Sequence, residues 1–202
     1  MKPISIRFSG FGGQGIILSA VVLGDALVIH RGLYAAQTQS YGSEARGGQC
    51  QSELMVSEEP ILTPIRASND ILVSMFQTSL DSYIGFLRRD GTLFVDSGLV
   101  ADLSRVPPET TRHAVPATEI ALALGNKMAA NMVMLGYFAG VTKMLNLEQL
   151  DRALGENVRK EFLDLNKKAI RTGFDLSTGK NKEIAEEKAE EKAERKTEGR
   201  GR

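Results

Sequence analysis

Residues 3–9, PISIRFS, set Ile4, Ile6 and Phe8 against polar neighbours, the period-two pattern of a strand. From residue 16 the period changes. Ile17, Ala20, Val21, Gly24, Leu27 and Val28 recur at helical spacing, and Gly32 stands where such a helix would stop. Residues 33–39 and 50–57 return to a strand-like pattern, and the stretch between them, 40–49, is too glycine-rich and polar for either element. Further on, 70–75 (DILVSM) reads as a buried strand, 79–89 as a helix closed by Asp90–Gly91, 92–97 as a strand and 112–117 as a weaker one. The segments ATEIALALG and AANMVMLGYFAGVTKML predict two helices, the second carrying Met132, Leu135, Gly136 and Ala139 on one face. Asn146 is placed to cap a helix over NLEQLDRALGENV, and 158–172 reads as a last amphipathic helix.

Strands alternating with helices over the first hundred residues predict an α/β fold with an open, mostly parallel sheet flanked by helices. Beyond about residue 176 the pattern fails. Residues 177–202 carry almost no apolar side chain and alternate Glu with Lys or Arg at i,i+4 spacing, so the chain divides into an α/β domain, 1–176, and a charged, helical or disordered tail.

Composition narrows the function. Lys+Arg and Asp+Glu balance at 25 each, which gives no basic field for nucleic acid, and no apolar run is long enough for a membrane span. The N-terminus shows no apolar signal region, so a soluble, cytoplasmic protein is expected. Cys50 is the single cysteine, which rules out an internal disulfide and a cluster held by this chain's own thiolates. No Ser/His/Asp or Cys/His set and no H-E-x-x-H stands out, and His30, His113 and Cys50 read as structural.

Four glycines occupy six positions in GFGGQG, residues 10–15. Gly10, Gly12 and Gly15 fit G-x-G-x-x-G between a strand and a helix, the context that motif requires. On that pattern Gly10 permits the turn, Gly12 brings backbone N–H groups to a ligand and Gly15 lets the helix pack on the strand. The helix N-terminus offers free donors to an anion, and Gln14 could add its amide. A tight turn that binds nothing is the competing reading. A dinucleotide fold would place Asp or Glu at the end of the second strand, where Gln37 and Gln39 stand instead, and no G-K-[ST] follows for a P-loop. The glycines therefore suit a pyrophosphate held without an acidic reader of the ribose.

The second loop, QSYGSEARGG, sets Tyr41, Glu44 and Arg46 among Gly42, Gly47 and Gly48, directly after the second strand and so near the first loop. Arg46 could fork onto a phosphate or carboxylate, Glu44 could orient it, and Tyr41 could stack on a ring or join an interface. An internal Glu44–Arg46 pair in a purely structural loop remains the alternative. Asn126 and Asn131 could cap helices or face the site, and Met128, Met132 and Met134 read as packing.

Taken together, GFGGQGIILSAVVLGDAL, AAQTQSYGSEARGGQCQSELMVS and NMVMLGYFAGV resemble the gamma subunit of 2-oxoacid:ferredoxin oxidoreductases, over about residues 3–172, and most resemble the 2-oxoglutarate branch. Ser43 stands where that family often has proline. The resemblance implies a Rossmann-like domain in an enzyme that decarboxylates a 2-oxoacid onto coenzyme A and reduces ferredoxin. It implies thiamine diphosphate with magnesium and iron–sulfur clusters on partner alpha, beta and ferredoxin-like delta subunits, which fits a chain with one cysteine. Gly10, Gly12, Gly13, Gln14 and Gly15, with Tyr41, Gly42, Glu44, Arg46, Gly47 and Gly48, would then bind coenzyme A, with no catalytic residue and no metal ligand on this chain. A gamma subunit for pyruvate or a branched-chain acid, a stand-alone nucleotide-dependent oxidoreductase and a purely structural subunit are the alternatives.

Overall fold

A computed structural model describes residues 2–41, 48–64 and 66–179. The alternating stretches become β1 (Ile4–Phe11), β2 (Tyr34–Tyr41), β3 (Gln49–Ser57), β4 (Asn69–Ser74), β5 (Leu87–Asp96) and β6 (Thr111–Val115). They form one six-stranded sheet in the order β2-β3-β1-β4-β5-β6. β1, β4, β5 and β6 run parallel, whereas β3 is antiparallel to both β1 and β2. Three of the five ladders are thus parallel, and the sheet is open and mixed.

The helices are α1 (Ile16–Arg31), α2 (Gln77–Tyr83), α3 (Ala117–Ala123), α4 (Ala130–Thr142), α5 (Leu147–Asn157) and α6 (Lys160–Ser177). Gly32 ends α1 in a left-handed conformation, and its N–H returns to the carbonyls of Leu27 and Val28. Asn146 caps α5 in a full capping box with Gln149. The expected helix over 79–89 is shorter than its pattern suggests. α2 and a single 3-10 turn (Ile84–Phe86) end it, and Leu87, Arg88 and Arg89 already belong to β5. Gly91 is no helix stop: it sits where the β4–β5 register shifts, and a Cβ there would press on Leu87 and on the Asp70 carbonyl. Arg88 bridges Asp70 and Asp90 across this irregularity.

The two faces of the sheet are covered unequally. Ile6, Phe8, Leu54, Val56, Val73 and Phe94 face a large core shared with α1, α4, α5 and α6. Leu72, Leu93 and Val95 face a smaller one closed by Leu80, Ile84, Val100 and Val106. Polar residues of β1 point to this second face, where Arg7 is paired with Glu53 on β3 and lies over the rings of Tyr83 and Phe86 at 4.8 and 4.7 Å. α4 is buried nearly all round, and α6 crosses it so closely that a Cβ on Gly136 would collide with the Ile170 carbonyl and one on Gly173 with the Val133 carbonyl. Among the described residues no helix is long and apolar enough to cross a membrane. α6 ends at Ser177, and of the expected tail, residues 180–202 lie outside the described ones.

Candidate functional site

The parallel strands β1, β4, β5 and β6 end on one side of the sheet, the side where open α/β folds bind ligands. The chain turns there through Phe11–Gly15 into α1, whose N-cap Gly15 has φ 69° and whose first turn holds no acidic residue. That end of a long helix attracts anions.

The glycines divide their roles differently from the simple motif. Gly10 lies inside β1, and the space a Cβ would need is filled by Gln14 and Ile16. The Gly12 N–H, expected to face a ligand, donates instead to Gly48 O at 2.9 Å. Gln14 is likewise engaged: its Oε1 accepts from Phe11 N at 2.6 Å and its Nε2 donates to Met75 O at 3.2 Å. These bonds brace the turn against β4 and against the end of the second loop. Gly15 leaves no room either, since a Cβ there would strike the side chain of Asn131, whose Nδ2 donates to Gly15 O at 3.1 Å.

Gly13 is the exception. It has φ 92°, and nothing lies within 4 Å of where its Cβ would be. Among the described residues its N–H and that of Gly15 find no acceptor. Gly13 and Gln14 line a cavity of about 300 Å³ with Leu99, Thr118, Lys127, Met128 and Ala130. Lys127 brings an ammonium to it. Thr118 is held by Asp96, a fully buried carboxylate at the end of β5 that accepts from Thr118 Oγ1 at 2.5 Å, from Thr118 N at 3.0 Å and from Gly98 N at 3.2 Å. Burial pushes the Asp96 carboxyl up, and those bonds partly offset it. The unpaired Gly13 N–H, the nearby helix N-terminus and Lys127 around this small cavity are donors of the kind that could receive an anion.

The second loop leaves β2 at Tyr41 and re-enters at Gly48, where Gly12 holds it; Tyr41 and Gly10 both face Cys50 in their ladders. The two loops therefore start from the same edge of the sheet. Gly42, Glu44, Arg46 and Gly47 lie outside the described residues, as does the side chain of Tyr41. A ribose-reading acid belongs to a second strand that neighbours the first, but here β3 stands between β1 and β2. The absence of an acid at Gln37 and Gln39 therefore says little about nucleotides.

The whole α/β domain matches a known pattern. Residues 5–176 fit the family model for pyruvate ferredoxin/flavodoxin oxidoreductase. The chain belongs to that family. It is 38% identical over 173 residues to the 2-oxoglutarate synthase subunit KorC of Methanocaldococcus jannaschii, covering 85% of this chain and 92% of that protein. With the KorC of Methanothermobacter thermautotrophicus it shares 39% over 177 residues, covering 85% and 93%. The gamma subunit of a keto/oxoacid ferredoxin oxidoreductase from Geobacter sulfurreducens superposes with TM-score 0.76 at 36% identity, over 87% of this chain and 99% of that one. Within the pyruvate ferredoxin/flavodoxin oxidoreductases the chain is a gamma-type subunit of a 2-oxoacid:ferredoxin oxidoreductase complex.

In this family member a second cavity, of about 490 Å³, adjoins the first through Met128. Gly15, Leu18, Asn131, Phe162 and Leu165 are among its walls. Asn126 caps the 3-10 turn Lys127–Ala129 by accepting from Met128 N, and Asn131 anchors the glycine turn, so each has a structural role while lining this space. Met132 and Met134 are core residues as expected, but Met128 is half exposed at the junction of the two cavities. His113 stacks on Phe94 with centroids 4.7 Å apart, and burial depresses its imidazole; burial likewise raises the Cys50 thiol. Lys127 was not singled out by sequence. Its signal is its place in GNKMAANM, between two asparagines that could either cap helices or face the site.

Proposed function

We propose that this chain is the gamma subunit of a 2-oxoglutarate:ferredoxin oxidoreductase and that it binds the phosphates of coenzyme A. The enzyme would act in the cytoplasm with alpha and beta subunits that hold thiamine diphosphate, magnesium and clusters, with a ferredoxin-like delta subunit, and with ferredoxin as acceptor. The choice of 2-oxoglutarate rests on the KorC relatives at 38% and 39% identity. The observation that carries the binding role is Gly13, with its unpaired N–H over a cavity that Lys127 lines at the carboxyl ends of the parallel strands. Coenzyme A presents a pyrophosphate that matches this donor set. Arg46 and Glu44, six residues or fewer from both Tyr41 and Gly48, would complete the site from the second loop.

A purely structural role for the loops has one observation in its favour: Gly12 and Gln14 spend their hydrogen bonds inside the protein. Titration of the assembled enzyme with coenzyme A separates the two. An Arg46→Ala variant should weaken coenzyme A binding about tenfold or more, since a hydrogen bond to a charged group contributes roughly 1.5–3 kcal/mol. An unchanged Kd in the assembled variant would overturn the role of Arg46. Unchanged binding in Lys127→Ala as well would favour the structural reading.

A further inference from the structure

We propose that β2 is an interface strand: this free edge of the sheet pairs, antiparallel about a two-fold axis at Thr38, with β2 of a second copy of the chain. The proposal does not depend on what the glycine turn binds.

The two edges of the sheet are finished differently. β6 is five residues long, carries Arg112 and His113 and stops at Pro116, and a short, charged strand ended by proline discourages further pairing. β2 has none of these devices. It runs eight residues, Tyr34–Tyr41, with no charge, no proline and no bulge in its register with β3. Among the described residues β3 is its one neighbouring strand, and Tyr34, Gln37, Gln39 and Ser40 are exposed. On the helix side α1 packs over β2 and leaves Val28 and Ile29 42% and 62% exposed, just before the strand begins. A long, regular, uncharged edge beside apolar side chains is a template for another strand.

The strand's own sequence argues for a second copy. In a two-fold pair a residue near the axis meets its own equivalent, so a charge there would repel itself. YAAQTQSY carries none. The direction of the edge groups selects the register. Thr38 O turns inward to β3, where Ser52 Oγ donates to it at 3.2 Å, so by alternation Gln37 and Gln39 present their N–H and C=O groups outward. With the axis at Thr38, Gln37 of each copy stands opposite Gln39 of the other, and these outward groups bond one another. The side chains agree. Gln37 Nε2 donates to Ser52 Oγ at 2.8 Å, which leaves its Oε1 to accept, while the Gln39 amide has no partner among the described residues. Gln39 Nε2 of one copy can thus donate to Gln37 Oε1 of the other, twice over. A register centred on Gln37 would instead set Gln39 against Ala35 and leave its amide unmatched.

The experiment reads register and assembly together. At the axis the two Thr38 residues form a non-hydrogen-bonded pair with Cα atoms about 4.5 Å apart, within reach of a disulfide. Full-length Thr38→Cys under mild oxidation should therefore run as a crosslinked dimer on a non-reducing gel. Ser40→Cys should not, because its two equivalents lie four positions apart along the strands, about 13 Å. The parent, whose Cys50 is buried, gives the background. Sedimentation of the full chain should show a dimer. Gln39→Pro, which removes an N–H that β3 does not use, should raise the dissociation constant about tenfold or more, the loss of one backbone hydrogen bond from each copy. Melting confirms that this variant folds, and the crosslink decides if it does not. A monomer throughout sedimentation, no Thr38→Cys crosslink, or crosslinking by Ser40→Cys as readily as by Thr38→Cys each overturns the proposal. So does a Thr38→Cys crosslink that forms, in the assembled complex, to another subunit instead of to a second copy.

Discussion

Glycines crowd two regions of this molecule, the β1–α1 turn and the crossing of α4 with α6, and the space around them differs. At the crossing, backbone or side chain occupies every place a Cβ would take: the Ile170 carbonyl at Gly136, Ser177 at Gly140 and the Val133 carbonyl at Gly173. In the turn, Gly10 and Gly15 are filled in the same way, by Gln14 and Asn131, but Gly13 faces open space. A glycine whose missing side chain is replaced by protein is fixed by packing. Gly13 has no such neighbour, and unlike Gly32, which also faces open space but stops α1, it lies on a cavity. On the proposed reading that leaves room for a ligand inside the same motif that packs the turn.

The largest effect should come from the crossing. A Gly173→Ala variant drives a methyl into the α4 backbone, which cannot yield as a flexible side chain would, and overpacking of this kind costs on the order of 3 kcal/mol. For a chain of this size that lowers Tm by roughly 6–12 °C. Thermal melting of the variant checks it, and a Tm within a degree of the parent would mean that α4 and α6 do not approach as described.

Why the turn was legible and the crossing was not follows from distance along the chain. The turn lies within six residues, and strand, glycines and helix announce themselves by period and by Gly32. The crossing joins residues more than thirty apart, and nothing local in GYFAG or RTG says that they meet. Strand direction was hidden for a similar reason. Alternation along residues 50–57 marks β3 as a strand, yet only its insertion between β1 and β2 makes the sheet mixed. Leu87–Arg89 looked helical because they continue an apolar spacing from Leu80 and Ile84, while pairing with β4 decides their state. In the site, the glycines were visible, but Lys127 comes more than a hundred residues later. What brings it to Gly13 is the packing of α4 against α1 and the Asn131–Gly15 bond.

Gly13→Ala sharpens the contrast from the other side. The new methyl meets no atom, so only the backbone conformation resists it, at about 1–2 kcal/mol. Tm should fall less than in Gly173→Ala, but coenzyme A binding by the assembled enzyme should weaken about tenfold, because the methyl enters the space where the phosphate would lie. Lys127→Ala should match that loss with almost no change in Tm, its side chain being exposed. Isothermal titration and melting on both variants give the four values needed. A Gly13 variant that loses stability and keeps its affinity would place this glycine with those of the crossing.

The smallest effect lies away from both regions, at His113 on the edge strand β6. The ring stacks on Phe94 beside Tyr137, and burial lowers its pKa below the ordinary value. The unfolded chain therefore takes up a proton before the folded one does. Stability from this group is complete above about pH 6.5 and declines as the pH falls from there toward the lower folded pKa. Because the imidazole is only partly buried, the slope should be shallow. Melting at pH 7.5 and pH 5.5 measures it, and His113→Phe, which keeps an aromatic ring on Phe94 and removes the titrating group, should lessen the difference. If the variant loses as much stability as the parent over that interval, the acid sensitivity arises elsewhere in the fold.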